Sequence, residues 1–249
     1  MTRPAVDVCF TPREIRPTDV AVVVDVLRAT STIVQAAAAG YPRVLCCRSI
    51  ATARDLRAPG RVLAGERDCV RVPDFDLGNS PAAVAREARR GEELVLATTN
   101  GSPAIVAASS VARRVLIGSL LNLRAVLDAV RAEAAVTIVC SGTDGRPALE
   151  DVYVAGRLVT ALDGTRSDAA RVAERVASTY STPLEPLAES EDGARLRATG
   201  QGVDIEWCAR ESALGVVPEV ASTDDGWAMV ASSHKHLPMH LDREFAGTF

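Results

Sequence analysis

The sequence predicts an α/β fold in which helices flank a mostly parallel β-sheet, with a smaller α/β portion towards the C-terminus. Four apolar runs have the composition of buried strands, and each is followed by a polar or charged cluster and then by a helical segment. This alternation is typical of parallel sheets with helical crossovers. Hydrophobic residues make up 47% of the 249 residues but aromatic residues only 4%, which suits helices packed on a sheet.

The first half of the chain shows the alternation most clearly. Residues 20–24 form a β-branched run, and residues 29–39 follow as an Ala-rich helix that ends at Gly40, a common helix terminator. Ser80 and Pro81 predict a helix start, because serine caps a helix and proline fits its first turn. The other predicted elements are strands at 43–47, 61–65, 93–98 and 114–117 and helices at 49–56, 82–90 and 103–112.

The second half continues the pattern and ends in the smaller portion. Apolar residues recur with helical spacing from Leu149 to Leu162, which places Glu150 and Asp151 in the first turn of a helix. We divide the chain into a main domain, residues 1–164, and a C-terminal portion, residues 165–249, that packs on it. The remaining predicted elements are a helix capped by Asn122 and running to about 132, a strand at 136–140, helices at 168–180 and 194–199, a surface connection at 181–193, and finally a short helix and a late edge strand.

Composition and charge exclude several classes of function. The formal net charge of -4 argues against nucleic-acid binding, which needs a concentrated basic surface. No apolar run reaches the roughly 18 residues that span a bilayer, and the N-terminus lacks a signal region, so we expect a cytoplasmic protein with no membrane partner. The six cysteines contain no C-x-x-C pair, which argues against a zinc site. The sequence leaves open whether the chain forms a homo-oligomer.

Two polar clusters resemble helix starts that bind anions. Asp25 follows a buried run and can hold a divalent cation, while Arg28 and the amides of the next helical turn can hold an anion. In the second cluster an Asn-Gly turn brings hydroxyls and amides to another helix start, which suits phosphate oxygens. The hydroxyl, amide and glycine residues of the two clusters are Thr30, Ser31, Thr99, Asn100, Gly101 and Ser102.

A third cluster supplies hard oxygen donors. Glu66 and Arg67 come at the end of a predicted strand, and the loop that follows carries Asp76, Asn79 and Ser80. Such donors fit Mg²⁺, which keeps several waters and uses few carboxylates. Because the carboxyl ends of parallel strands share one rim of a sheet, we expect the clusters to converge on a single crevice.

A fourth cluster raises the alternative of a cysteine-dependent phosphatase. Cys140 and Arg146 have the spacing by which such enzymes bring a thiolate and a guanidinium around one phosphate. Asp144 inside this loop opposes that mechanism, since negative charge disfavours both the thiolate and an anionic substrate. The three histidines all lie in the tail from residue 234 to 240, so the clusters contain no imidazole for acid and base chemistry.

Read together, the clusters resemble the 2-phosphosulfolactate phosphatase family of magnesium-dependent phosphatases. The matching segments occur in order between about residues 21 and 161 and are VVVDVLRATSTI, AGERD with PDFDLGNSP, LVLATTNGSPAI, SLLN and LEDVYVAG. The resemblance implies an α/β fold and hydrolysis of a small anionic substrate, (R)-2-phospho-3-sulfolactate or a related phosphorylated hydroxy acid, in a route of coenzyme M biosynthesis.

On this basis we assign roles to the residues of the clusters. Asp25, Glu66 and Glu150 or Asp151 are expected to hold Mg²⁺ directly or through water. The nucleophile is Asp25 or a metal-bound water, with Cys140 as the third alternative. Residues expected to bind the phosphate and acid groups of the substrate are Arg28, Thr30, Ser31, Arg67, Asn79, Ser80, Thr99, Asn100, Gly101 and Ser102. A non-catalytic anion-binding or regulatory protein on the same fold is the competing interpretation.

Overall fold

The computed structural model of the protein describes residues 5–87 and 91–232, and within these ranges the chain forms ten strands and ten α-helices. The strands are β1 (Val6–Cys9), β2 (Thr18–Val24), β3 (Arg43–Cys47), β4 (Arg61–Arg67), β5 (Val70–Arg71), β6 (Glu93–Ala97), β7 (Ala112–Gly118), β8 (Val136–Cys140), β9 (Pro218–Asp224) and β10 (Trp227–Ser232). The helices are α1 (Ala29–Ala39), α2 (Ile50–Asp55), α3 (Pro81–Arg86), α4 (Gly101–Ser109), α5 (Leu123–Val130), α6 (Leu149–Ala161), α7 (Asp168–Ser178), α8 (Leu184–Glu189), α9 (Glu191–Ala198) and α10 (Val203–Cys208). Short 3-10 helices cover Pro12–Glu14 and Leu120–Asn122.

All ten strands belong to one sheet with the order β1-β8-β2-β7-β9-β10-β3-β6-β4-β5. Strands β1, β8, β2 and β7 are parallel to one another, and so are β3, β6 and β4. The hairpin β9–β10 joins these two parallel groups and is antiparallel to its neighbour on each side. The predicted mostly parallel α/β fold is therefore confirmed, but its two parallel groups run in opposite directions within the sheet.

The side chains of each strand alternate between two faces and so build separate cores. On β2, Val20, Val22 and Val24 pack with α5, α6 and α7, whereas Ala21 and Val23 pack on the other face. That second face shares its core with α1 and α4, which contact β7 of the first parallel group and β3 of the second. The two groups are thus held around a common pair of helices.

The C-terminal portion differs from the prediction in two respects. The segment expected to be a surface connection contains α8 and the start of α9, and the strand expected at an edge is β9 in the middle of the sheet. Pro183 and Pro186 do not prevent α8, because they lie at its beginning, where their missing N–H groups need no partner. Ser190 ends α8 and caps α9 by accepting a hydrogen bond from the N–H of Gly193 at 3.0 Å.

The remaining comparisons with the predictions concern single segments of the chain. The strand β1 was not predicted from the sequence, although Val6 and Val8 are buried. The predicted end of the helix after Ser80 at residues 88–90 and the histidine-containing tail both lie outside the described residues. Within the described ranges, no helix has the length and apolar composition required to cross a bilayer. The division of the chain at residue 164 stays a prediction.

Candidate active site

A cavity of about 410 Å³ lies where several loops meet at the ends of strands from both parallel groups. One part of its wall comes from the first group, after β2 and β8, and another from the second group, at the ends of β4 and β6. Helix α9 closes the remaining side. The lining residues are Asp25, Leu27 and Arg28, then Glu66, Asp68, Cys69 and Asn79, then Thr98, Thr99 and Asn100, and finally Asp144, Asp192, Arg195, Ala198 and Thr199.

The N-termini of α1 and α4 meet at this cavity and bring the two parallel groups together. Gly101, the first residue of α4, packs so closely on the start of α1 that a Cβ atom would collide with Oδ2 of Asp25 and with Cβ of Ala29. A helix of this length carries partial positive charge at its N-terminus. Two such helix ends therefore face one buried carboxylate.

Asp25 is 7% exposed and is held by the first turn of α1. Its Oδ1 accepts a hydrogen bond from the N–H of Ala29 at 3.1 Å, and its backbone carbonyl accepts one from the Thr30 hydroxyl at 2.8 Å. Burial is the main cause that raises the pKa of Asp25 to about 7; the charges of Asp192 and Glu66 act in the same direction, and the Ala29 N–H opposes them. Asp25 can therefore exist in either protonation state near neutral pH.

Glu66 is the second buried carboxylate of the cavity and is likewise 7% exposed. Its Oε1 accepts hydrogen bonds from the backbone N–H of Thr99 at 2.8 Å and from the Thr99 hydroxyl at 3.0 Å. Its Oε2 accepts a hydrogen bond from the N–H of Cys69 at 2.9 Å. These bonds fix Glu66 between the end of β4 and the start of α4.

Arg28 is the more deeply buried of the two arginines that line the cavity. Its guanidinium forms an ion pair with Asp204 of α10 at 2.7 Å, and the two side chains are 2% and 0% exposed. It also donates hydrogen bonds to the side-chain carbonyl of Gln201 and to the backbone carbonyl of Cys69. Arg28 is therefore a fixed positive charge, anchored by the C-terminal portion of the chain.

Helix α9 contributes residues that sequence reasoning did not identify. Asp192, Arg195 and Thr199 all line the cavity and follow the spacing of one helical face. Asp192 accepts hydrogen bonds from the Thr143 hydroxyl and, at 3.4 Å, from Arg195. The spacing of these three polar residues indicates a shared helical face, but only if residues 191–198 are recognised as a helix. The sequence analysis also did not identify Asp204, which lies on α10 and pairs with Arg28.

Comparison with known proteins identifies the family of the chain. The sequence model of a family described as 2-phosphosulpholactate phosphatase matches residues 9–223. The chain belongs to the 2-phosphosulpholactate phosphatase family. Among relatives named probable 2-phosphosulfolactate phosphatase, the protein of Deinococcus radiodurans is 39% identical over 83% of this chain and 90% of its own length, and that of Carboxydothermus hydrogenoformans is 37% identical over 92% of this chain and 98% of its own. The protein of Thermus thermophilus, which carries the same name, is 37% identical over 80% of this chain and 87% of its own length.

Fewer residues line the cavity than we expected to contact the substrate. Asp25, Arg28, Asn79, Thr99 and Asn100 do line it. Four hydroxyl residues do not line it, because their hydroxyls form hydrogen bonds within the protein; they are Thr30, Ser31, Ser80 and Ser102. Gly101 does not line it because it is packed under Asp25, and Arg67 is not among the lining residues either.

Most of these residues support the site from behind. The hydroxyl of Ser31 donates to the carbonyl of Val26 at 2.8 Å, and that of Ser102 donates to the carbonyl of Leu96 at 3.2 Å. Ser80 caps α3 and donates to Asp204 at 2.8 Å. The protein thus uses these hydroxyls to build helix starts, where unpaired backbone groups must be satisfied. Arg67 donates to the carbonyl of Glu66 at 2.6 Å.

Two of the four predicted metal ligands lie outside the cavity. Asp151 is fully enclosed, where it accepts hydrogen bonds from the N–H groups of Val26 at 2.9 Å and Gly142 at 3.1 Å and so ties the β2 and β8 loops together. Glu150 lines an adjoining cavity of about 280 Å³. Burial raises the pKa of Glu150 to about 8, and the neighbouring Asp192 charge adds to this.

The placement of Cys140 argues against the cysteine mechanism. Its side chain is 0% exposed and packs in the core with α6, away from the cavity. Burial raises the pKa of this thiol well above its ordinary value, and the Asp151 charge adds to the effect, so the thiolate is disfavoured. The Arg146 side chain lies on the surface, where it pairs with Glu191 at 3.6 Å. The two residues do not form a phosphate-binding loop.

The cavity offers oxygen donors for a cation, although too few to complete a coordination shell. Among the residues that the structure describes, no three His, Cys, Asp or Glu side chains are grouped as a metal site. Asp25 and Glu66 are the buried carboxylates, and Oδ1 of Asn79 is buried without a hydrogen-bond partner in the described part of the chain. This donor set fits Mg²⁺, which takes most of its ligands from water and substrate.

Proposed function

We propose that this chain is a Mg²⁺-dependent phosphatase that hydrolyses (R)-2-phospho-3-sulfolactate to 3-sulfolactate and phosphate. One observation carries the proposal: a single cavity in a member of this family joins a buried carboxylate, Asp25, to the N-terminus of α4 and to two arginines. The names of the relatives supply the substrate. Phosphate-ester hydrolysis is among the slowest uncatalysed biological reactions, so charge neutralisation and alignment are the main requirements.

The charges in the cavity support a cation requirement. Five carboxylates line it, Asp25, Glu66, Asp68, Asp144 and Asp192, against the guanidinium groups of Arg28 and Arg195. A substrate with a phosphate, a carboxylate and a sulfonate would be repelled from such a cavity unless a cation were present. Asp25, Glu66 and Oδ1 of Asn79 are the donors that would hold Mg²⁺. When bound, the ion supplies charge neutralisation and polarises the phosphoryl oxygens.

The protein's own groups bind and orient the phosphate. The backbone N–H of Asn100, at the start of α4, has no acceptor among the described residues. Asn100 lies beside Thr99 at the cavity wall, where a helix N-terminus favours an anion. Arg28 adds a positive charge to the same cavity, where its ion pair with Asp204 anchors it. We infer that the phosphate lies between these groups.

Asp25 is positioned for the chemical step. It lies against the start of α4, and a pKa of about 7 lets it act either as a carboxylate or as an acid near neutral pH. It serves as the nucleophile or as the group that accepts a proton from the attacking water. As the nucleophile, its carboxylate oxygen forms a bond to phosphorus while the P–O ester bond breaks, and water then hydrolyses the aspartyl phosphate to release phosphate. As the base, it takes a proton from the water whose oxygen forms the new bond to phosphorus while the ester bond breaks. In both roles the ester oxygen takes up a proton from solvent and the product leaves as the hydroxy acid. Glu66 holds Thr99 at the wall of the same cavity by accepting two hydrogen bonds from it.

The test is release of inorganic phosphate from 2-phospho-3-sulfolactate by the full chain, with Mg²⁺ and with a chelator. We expect turnover that the chelator abolishes, and a loss of at least about 100-fold in Asp25→Asn. Asp128→Asn, which changes an exposed carboxylate on α5, is the matched control and should keep full activity. Calorimetric titration with Mg²⁺ gives a second measurement, with weaker binding expected for Glu66→Gln than for Asp128→Asn.

Three outcomes would contradict the proposal. Chelator-insensitive turnover that disappears in Cys140→Ser would establish the cysteine mechanism instead. Tight binding of the substrate without any phosphate release, at any Mg²⁺ concentration, would favour the non-catalytic anion-binding protein. Mg²⁺ binding that is the same in wild type, Asp25→Asn and Glu66→Gln would remove these two carboxylates as its ligands.

A further inference from the structure

The two arginines of the cavity are held in different ways. Arg28 is 2% exposed and bound to a fully buried carboxylate at 2.7 Å. The Arg195 side chain is 45% exposed, and each of its two ion pairs, with Asp144 and with Asp192, has a separation of 3.4 Å. Arg195 is therefore accessible and only loosely paired, so an incoming anion can take the place of its present partners at small cost.

The position of Arg195 is equally distinctive. It lies on α9 between Asp192 and Thr199, on the helical face that closes the cavity. The start of α4, where we place the phosphate, belongs to a different wall, built by the loop after β6. An anionic group attached to the same small molecule as the phosphate would thus reach Arg195 from inside the cavity.

The carboxylates around Arg195 explain why an anion needs this residue. Asp144 and Asp192 both line the cavity next to Arg195 and would repel a second acidic group of the substrate. Among the described residues that line the cavity, Arg195 is the positive charge paired with these two carboxylates. The planar guanidinium also suits a sulfonate or carboxylate, because it donates two parallel hydrogen bonds.

We propose that Arg195 binds the non-reacting acid group of the substrate and so determines specificity for phosphate esters that carry a second strong acid. The inference rests on the proposed function and assigns the class of substrate: a small phosphate monoester with a sulfonate or carboxylate near the ester oxygen. Arg195 takes no part in the chemical step. Its contribution is to binding, which appears in KM more than in kcat.

Three esters distinguish which acid group is bound. 2-Phospho-3-sulfolactate has both groups, 2-phospholactate lacks the sulfonate, and 2-(phosphonooxy)ethanesulfonate lacks the carboxylate. For Arg195→Gln we expect KM to rise about 10- to 100-fold on esters that carry the contacted group, the loss typical of a charged hydrogen bond, with kcat nearly unchanged. On the ester without that group, Arg195→Gln and wild type should have the same kcat/KM within about 2-fold.

Two further variants complete the experiment. Arg197→Gln, an exposed arginine on the same helix that does not line the cavity, is the matched control and should behave as wild type with all three esters. Arg195→Lys keeps the charge but not the planar fork, so we expect an intermediate KM. Thermal unfolding of each variant separates loss of binding from loss of fold.

The result that would overturn the inference is equally specific. An equal loss of kcat/KM for all three esters in Arg195→Gln would mean that Arg195 acts on the phosphate or on the fold, and unchanged values would mean that it has no role. If wild type hydrolyses none of the esters, the proposed function fails by itself. Calorimetric binding of 3-sulfolactate still decides the role of Arg195, because binding equal in Arg195→Gln and Arg197→Gln contradicts it.

Discussion

Gly101 lies directly on Asp25, with no room for a β-carbon between the first residue of α4 and the carboxylate that follows β2. This contact joins the two parallel groups of strands at the point where we place the chemistry. Gly101 is not among the glycines with positive φ, so the need for glycine here comes from the neighbouring side chains and not from the backbone conformation.

Gly101→Ala is expected to impair both stability and turnover. The added methyl group would collide with Oδ2 of Asp25 and with Cβ of Ala29, and overpacking of this kind typically costs about 1–3 kcal/mol. Urea unfolding and phosphate release measure the two effects. Gly215→Ala is the control, because no atom lies within 4 Å of the added Cβ. Wild-type activity in Gly101→Ala would show that the contact is not needed for the site.

Asp204→Asn should be among the most damaging single substitutions in the protein. It leaves the buried Arg28 guanidinium without its counter-charge, and breaking a buried ion pair in this way costs about 3–5 kcal/mol. Asp19→Asn disrupts the exposed pair with Arg113 and should change stability by less than about 1 kcal/mol. Denaturant unfolding compares the two variants. Equal effects would mean that Asp204 is not needed to balance the charge of Arg28.

Glu150 should make the protein less stable as the pH rises. Its pKa is about 8 in the folded protein against 4.5 as the ordinary value, so folding favours the protonated side chain. The resulting stabilisation is complete below about pH 4.5 and is lost as the pH rises to about 8, with a size on the order of a few kcal/mol. Unfolding measured from pH 5 to 8 should therefore show a smaller slope in Glu150→Gln than in wild type.

The control for this slope is a second carboxylate of the same adjoining cavity. The Glu191 side chain is 70% exposed and pairs with the surface residue Arg146 at 3.6 Å. Glu191→Gln should keep the wild-type pH dependence, because exposed pairs contribute little. A slope that falls equally in both variants would show that burial of Glu150 is not its cause.

Alkylation should distinguish Cys69 from the other cysteines. It is half-buried and lines the cavity, whereas the other five, including Cys140, are buried. We expect iodoacetamide to label the native protein at Cys69 alone, slowly because burial raises the pKa of this thiol, and more slowly still with substrate present. Peptide mass spectrometry identifies the labelled site, and Cys69→Ala should abolish labelling. Early modification of Cys140 would contradict the position assigned to it.

Local sequence patterns predicted the elements that local rules control. The bounds of α1, β3 and β8 agree with their structure, because a helix stop and continuous β-branched or apolar runs mark them. Asp25, Glu66, Thr99 and Asn100 line one cavity, as we predicted from their positions directly after strands. We expected these segments to meet along one rim of a mostly parallel sheet, but the cavity joins strand ends of two parallel groups that run in opposite directions.

What the sequence did not predict depends on contacts between distant segments. The hydroxyls of Thr30, Ser31 and Ser102 were expected to bind an anion. Each instead donates a hydrogen bond to a backbone carbonyl near a helix start, because buried backbone groups need partners. The role of Asp204 in holding Arg28 involves residues 176 positions apart. No local rule indicates such a pair.

The hairpin β9–β10 has a consequence for how the protein is made. A ribosome synthesises β1 to β8 first, and throughout that time β7 and β3 have exposed edges where the hairpin will later pair. The nascent chain therefore carries two unpaired strand edges that can pair with other polypeptides until the β9–β10 hairpin emerges from the exit tunnel. A premature stop codon before residue 218 would leave both edges unprotected, and such a truncated product should aggregate or be degraded instead of accumulating as a smaller enzyme.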